Sequence, residues 1–138
     1  MQKVSTILIA DRNPRVRGFL QREMSKAGYR VLLAESARDL LQWAYDQDPV
    51  DLIILDPDLP DAADTHLMSW LRKRTPLVPV IIHAQPSQGL PEQTAANAII
   101  AVEKGGSSVE RLKEVAAGLL KPSPPALVNP LSTSPSGS

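Results

Sequence analysis

Two aspartates and a lysine stand at the ends of three short apolar runs in this 138-residue chain. Asp11 follows Ile7-Leu8-Ile9-Ala10, and Asp56 follows Leu52-Ile53-Ile54-Leu55. Glu103-Lys104 follows Ala98-Ile99-Ile100-Ala101-Val102. A further run, Val78 to Ile82, ends at His83-Ala84. Carboxylate oxygens suit a hard cation such as Mg²⁺, and an ammonium neutralises phosphoryl charge. Brought to one place, two acids and a Lys have the makeup of a metal and phosphate site. Taken singly, each has an ordinary reading: Asp11 as a turn or cap, Asp56 before Pro57 as the start of a turn, and Lys104 beside Gly105-Gly106 as a solvated charge. Their coincidence at the ends of the runs is what points to a site.

What would bring them together is a parallel sheet. The runs above, with Val31-Leu32-Leu33-Ala34, are short, rich in β-branched residues and free of polar alternation, as strands buried on both faces are. Between them lie stretches with helical spacing. Asn13-Pro14 is a cap and first-turn pair leading into Val16, Phe19, Leu20, Met24 and Ala27, with Gly28 as the stop. Ser36 opens a second stretch through Leu40, Leu41, Ala44 and Tyr45, up to Pro49. Leu67, Trp70 and Leu71 mark a third, closed by Pro76. The capping-box pattern Ser107-Ser108-Val109-Glu110 opens the last, which carries Leu112, Val115, Ala116 and Leu119. Pro86, Gly89 and Pro91 leave room for only a short fourth helix over about residues 91–97. Five strands alternating with five helices predict an α/β doubly wound, five-stranded parallel sheet flanked by helices, because a barrel needs about 250 residues. In such a sheet, ligands gather at the carboxyl ends of the strands, where these acids stand.

Composition narrows the class. Fifteen basic residues balance fifteen acidic ones, which argues against a nucleic-acid-coating or membrane-surface protein. The absence of Cys excludes disulfides, thiolate metal sites and a Cys nucleophile. No stretch approaches the roughly 20 apolar residues that span a bilayer, and the N-terminus lacks a signal-peptide pattern, so a cytoplasmic location is expected. Past Lys121 the composition turns to Pro and Ser. Residues 1–121 are expected to be the folded domain, and residues 122–138 a disordered tail.

At this point the sequence resembles the receiver domain of bacterial response regulators, of the chemotaxis-regulator type. Ile7-Leu8-Ile9-Ala10-Asp11-Arg12-Asn13-Pro14 is similar to the family's strand-one acid motif. Asp51-Leu52-Ile53-Ile54-Leu55-Asp56-Pro57-Asp58-Leu59-Pro60-Asp61 resembles its phosphoacceptor motif, including the Leu-Pro pair. Val78 to Ile82 resembles strand four, and Val102-Glu103-Lys104 with Ser107 to Leu112 resembles the Lys-bearing strand five and its helix. The resemblance covers about residues 4–120. It implies a flavodoxin-like receiver fold with Asp56 as phosphoacceptor. It also implies Mg²⁺ held by Asp11, the Asp56 carboxylate and the Asp58 carbonyl, with Lys104 on the phosphoryl charge.

The chain departs from the family pattern at four places. Arg12 stands where a second acid is usual, which removes a metal ligand and is expected to weaken Mg²⁺ binding. Ala84, with His83 as its neighbour, occupies the phosphoryl-contacting position where the family has Thr or Ser. Ala101 replaces the aromatic switch residue, and Gly105 replaces the usual Pro.

The reading that follows is a single-domain receiver, not itself an enzyme. It takes a phosphoryl group on Asp56 from a sensor histidine kinase or phosphotransfer protein and signals through protein contacts. No direct DNA binding and no membrane partner are expected, the downstream target is open, and a homodimer stays open too. The alternative is a pseudo-receiver that serves as a phosphorylation-independent interaction module. A hydrolase on a similar scaffold is a poorer fit, with only His66 and His83 as imidazole bases. A nucleotide-binding domain fits worst, since no Gly-rich phosphate loop follows any strand.

Overall fold

The computed structural model describes residues 4–46, 49–63, 65–73, 78–85 and 99–120. They form β1 (Thr6–Ala10), α1 (Pro14–Lys26), β2 (Arg30–Ala34), α2 (Ala37–Ala44), β3 (Leu52–Leu55), α3 (Leu67–Lys73), β4 (Val80–Ala84), β5 (Ile99–Glu103) and α4 (Ser108–Leu120). The expected short helix near 91–97 and the expected tail at 122–138 lie outside the described residues. All strand pairs are parallel, in the order β2-β1-β3-β4-β5. This is the doubly wound, flavodoxin-like receiver fold.

Alternation along each strand divides the core in two. Ile7, Ile9, Leu52, Ile54, Ile81 and Val102 face α1 and α4, meeting Leu20, Met24, Leu112 and Ala116. Leu8, Ala10, Ile53, Leu55, Val80, Ile82 and Ala84 face α2 and α3, meeting Leu40, Ala44, Leu67 and Leu71. The three central strands are buried throughout, which is why they read as unbroken apolar runs. The edge strands differ from that expectation. β2 and β5 are only partly buried, because each has a single neighbour and incomplete helix cover.

Local chemistry fixes the helix ends. The Asn13 side chain accepts from the Arg15 and Val16 N–H groups, and Pro14 sits at the first helical position where no N–H is needed. At the other end of α1 the Tyr29 N–H donates to the Met24 carbonyl and the Gly28 N–H to the Ser25 carbonyl. Gly28 has φ +99°. These are the paired bonds and left-handed residue that close a helix and turn the chain into β2. The Ser36 hydroxyl caps α2 by accepting from the Asp39 N–H.

Candidate functional site

In this strand order the chain winds first to one side of β1 and then to the other, so the loops after β1 and β3 part and leave a crevice. The ladder pairs Ala10 with Leu55, and Leu55 with Ile82. One residue further on, Asp11, Asp56 and His83 fall in a row across three neighbouring strands. Alternation gives all three the face that carries Ile9, Ile54 and Ile81. All are buried, with exposures of 2%, 1% and 3%.

Lys104, just past β5, reaches back over this row. Its ammonium lies 3.2 Å from Asp11 Oδ2 and 3.7 Å from Asp56 Oδ2, and its N–H donates to the Ala84 carbonyl at 2.8 Å. Asp56 Oδ1 accepts from the Asp58 N–H at 2.9 Å, and Oδ2 accepts a long bond from the Arg12 N–H at 3.4 Å. Asp11 Oδ1 accepts from the Asn13 N–H at 2.8 Å. Burial raises the Asp11 carboxyl above its ordinary value, opposed by the Asn13 N–H and the Lys104 charge and reinforced by the neighbouring Asp56. Two buried acids thus share one partly buried cation. The pocket keeps excess negative charge.

Arg12 stands at the pocket mouth. Its guanidinium pairs with Asp58 at 2.8 Å and lies 3.9 Å from Asp56 Oδ2. The Asp58 carboxylate therefore turns outward to Arg12, about half exposed, and does not turn in to replace the missing acid. Among the described residues no group of three or more acidic, His or Cys side chains surrounds a metal position. The residues still fit a hard divalent ion. Asp11 and Asp56 offer adjacent carboxylates with lone pairs to spare, and an ion held by so few protein oxygens would keep several waters.

β4 corrects one expectation. The strand was expected to stop at Ile82, with His83 and Ala84 beyond it, but it runs through both. Pairing with β5 extends that far, His83 with Val102 and Ala84 with Glu103. Ala84 is fully buried on the opposite face, and its methyl has no hydrogen-bonding capacity. His83 is also buried, and neither ring nitrogen has a hydrogen-bond partner among the described residues. Burial, helped by the Lys104 charge and opposed by Asp56, lowers its pKa from 6.5 to about 4.

Two residues that steady the site carry no sequence signal. Arg17 donates to the Asp11 carbonyl at 2.7 Å and lies 3.7 Å from Glu35, tying the β1 and β2 loops together. Asp61, past the Leu59-Pro60 turn, accepts from the Ala37 and Arg38 N–H groups at 2.7 and 3.1 Å. Desolvation opposes the Asp61 charge, yet these two bonds hold its carboxyl below its ordinary value. The loop that carries Asp58 is thereby pinned to the start of α2. Asp61 lies inside the phosphoacceptor motif, but a helix 24 residues away gives no local cue.

A parallel sheet in this order, with two acids and a lysine at its carboxyl edge, defines a receiver. The family profile of the response regulator receiver domain matches residues 7–114, and the chain belongs to that family. Receiver domains are the signalling modules of two-component regulators, and they bind Mg²⁺ at their acidic pocket. Among curated proteins, the chain is 33% identical over 101 residues to the DNA-binding transcriptional regulator NtrC of Rhizobium meliloti, covering 73% of this chain and 19% of that protein. It is 36% identical over 77 residues to the NtrC of a Bradyrhizobium strain, covering 56% and 16%. The chain thus spans under a fifth of these relatives' length. Among solved structures, the response regulator TrrA of Thermotoga maritima in complex with Mg²⁺ and BeF has a TM-score of 0.73 at 26% identity, covering 85% of this chain and 100% of that one. A receiver domain from Bacillus halodurans has a TM-score of 0.74 at 17% identity, covering 88% and 100%. The complex of TrrA with histidine kinase ThkA also matches, with a TM-score of 0.71 at 25% identity, covering 86% and 100%.

Proposed function

We propose that this chain is a phosphoacceptor receiver in which Asp56 takes a phosphoryl group from a histidine kinase or phosphotransfer protein. The single observation behind this is Asp56 at the sheet's switch point, buried and facing the Lys104 ammonium at 3.7 Å. An Asp56 carboxylate oxygen attacks phosphorus, the P–N bond to the donor imidazole breaks, and the imidazole leaves with its electron pair and takes a proton. The product is an acyl phosphate. The Asp58 N–H holds one carboxylate oxygen and leaves the other to react. Lys104 moves from the carboxylates to the new phosphoryl oxygens, where a pre-placed cation in a site of low water content stabilises charge most. Asp11, Asp56 and the Asp58 carbonyl would hold Mg²⁺, which when bound neutralises phosphoryl charge. Almost all the acceleration is positioning and electrostatics.

Signalling onward would pass through protein contacts. The similarity of TrrA, solved with its kinase, supports a kinase as the donor. NtrC binds DNA by name, but the match covers only a fifth of it, so no DNA contact is proposed for this chain. Among the described residues no helix is long and apolar enough to cross a membrane. Composition supports residues 1–121 as the domain, with the Pro- and Ser-rich residues 122–138 outside it.

The second reading, a pseudo-receiver, is favoured by Arg12, which already supplies a cation at the pocket mouth. One experiment separates the two. The protein is incubated with Mg²⁺ and acetyl phosphate, intact mass is measured, and Trp43 and Trp70 fluorescence is followed. Gain of one phosphoryl group by the wild type and none by Asp56→Asn is the expected result. No gain, or a gain that survives Asp56→Asn, sinks the phosphoacceptor reading.

A further inference from the structure

The two oxygens of the Asp56 carboxylate are held unequally. Oδ1 accepts a bond of ordinary length from the Asp58 N–H, at 2.9 Å. Around Oδ2 stand Lys104 Nζ at 3.7 Å and Arg12 Nε at 3.9 Å, and the Arg12 N–H makes only a long bond of 3.4 Å. A buried anionic oxygen ordinarily draws charged donors in to about 2.8 Å. Here Lys104 is drawn instead to Asp11 at 3.2 Å, and the Arg12 guanidinium to Asp58 at 2.8 Å. The gap left over Oδ2 suits a group attached to that oxygen, whose outer oxygens then face the same donors. Of these donors the Arg12 side chain can move most easily. It is 56% exposed and its partner Asp58 49%, so water competes for both and the pair is weak. The backbone around it is fastened. Arg17 holds the Asp11 carbonyl, Asn13 caps α1, and Asp61 ties the loop after β3 to α2. A swing of the guanidinium from Asp58 towards Oδ2 therefore needs only side-chain rotation.

We infer that Arg12 binds the phosphoryl group: once Asp56 carries it, the guanidinium leaves Asp58 and donates to the phosphoryl oxygens beside Lys104. This rests on the reading of Asp56 as the acceptor. The ligand class is a tetrahedral oxyanion joined to Asp56, for which beryllofluoride is the stable stand-in. No covalent bond changes beyond the transfer itself; one ion pair is exchanged for another. The planar fork of Arg presents parallel N–H groups that match two oxygens of a phosphoryl group, which carries more charge than the Asp58 carboxylate. The exchange releases Asp58, and its charge keeps the pocket acidic enough for a divalent ion, so guanidinium and metal do not exclude each other there. The residue that removes a metal ligand from the resting pocket thus supplies a second cation to the phosphorylated one.

The test uses the full chain with beryllofluoride at saturating Mg²⁺, so that metal occupancy is equal in every variant. The Arg12 Nε–H is followed by NMR on ¹⁵N-arginine protein and assigned with Arg12→Lys. Adduct formation is expected to shift this resonance and to slow exchange of its proton. Affinity is read from tryptophan fluorescence. Because Arg12→Ala alone would leave Asp58 as added negative charge, the deciding variant is Arg12→Ala with Asp58→Asn, which keeps the local net charge of the wild type. Its beryllofluoride affinity is expected to fall about tenfold, the size of a lost hydrogen bond between charged groups. Arg12→Lys, which keeps a cation on a long stem, is expected to stay within about threefold. Both side chains are exposed, so these variants are expected to fold, and the wild-type NMR decides the matter even if they do not. An adduct that leaves the Arg12 resonance unmoved, or a double variant that binds as tightly as wild type, overturns the assignment while leaving Asp56 as acceptor. No adduct in the wild type overturns both.

Discussion

At the scale of single residues, charge governs the site. Asp11, Asp56 and Lys104 sum to minus one in a buried pocket, and the Arg12–Asp58 pair beside them is neutral. A divalent ion alone would leave that pocket with an excess of positive charge. A phosphoryl group adds negative charge, and the balance then favours the ion. Arg12 is thus expected to hold back the metal until phosphorus arrives. Replacing it by Asp restores a carboxylate and removes the cation in one step. Arg12→Asp is expected to tighten Mg²⁺ binding at least about tenfold, since each nearby charge at the surface contributes on the order of 1 kcal/mol. Titration of tryptophan fluorescence with Mg²⁺ checks this. Unchanged affinity would show that Arg12 swings clear of the pocket without cost.

At the scale of elements, the site depends on strands that end level and on turns that release the chain in the right direction. Gly28 does this for β2. Its φ of +99° is open to glycine, whereas a side chain there is strained even though no neighbour crowds the position. Gly28→Ala is expected to cost about 1 kcal/mol and lower Tm by a few degrees. It should leave phosphoryl uptake intact, because the end of α1 lies at the opposite edge of the sheet from Asp56. Calorimetry and the mass assay together test both halves. The tie from Asp61 to α2 works in the same way at the functional edge, by fastening the loop after β3.

For the molecule as a whole, the buried imidazole links folding to pH. His83 titrates near 4 in the folded chain and near 6.5 when unfolded. Above about pH 6.5 both states hold it neutral, and its stabilising contribution is fully present. As pH falls below that value the unfolded chain binds a proton that the folded chain refuses, so stability drops until about pH 4. Between pH 6.5 and 4.5 the loss is about 2–3 kcal/mol. Asp11, raised above 3.8, works in the opposite sense, and Asp61 and Glu23, both lowered, in the same sense. Thermal unfolding of the wild type is expected to show Tm falling across that window, with His83→Leu nearly flat. Parallel profiles for the two proteins would rule out the imidazole as the cause.

The amino-acid sequence by itself determined the strands, the helix ends and the positions of Asp11, Asp56 and Lys104 at strand ends. These rest on signals within a few residues: unbroken apolar runs for buried strands, Asn13-Pro14 for a helix start, Gly28 for a helix stop. The end of β4 falls two residues past its apolar run, because pairing with β5 carries the strand through His83 and Ala84. Only the tertiary structure decided that Arg12 pairs with Asp58, that Asp61 caps a helix from a distant loop, and that His83 is buried without a partner. Each depends on groups 20 or more residues apart, or on which strand lies alongside which. Burial and ion pairing turn on separations of a few ångströms across that sheet edge, which no local pattern encodes.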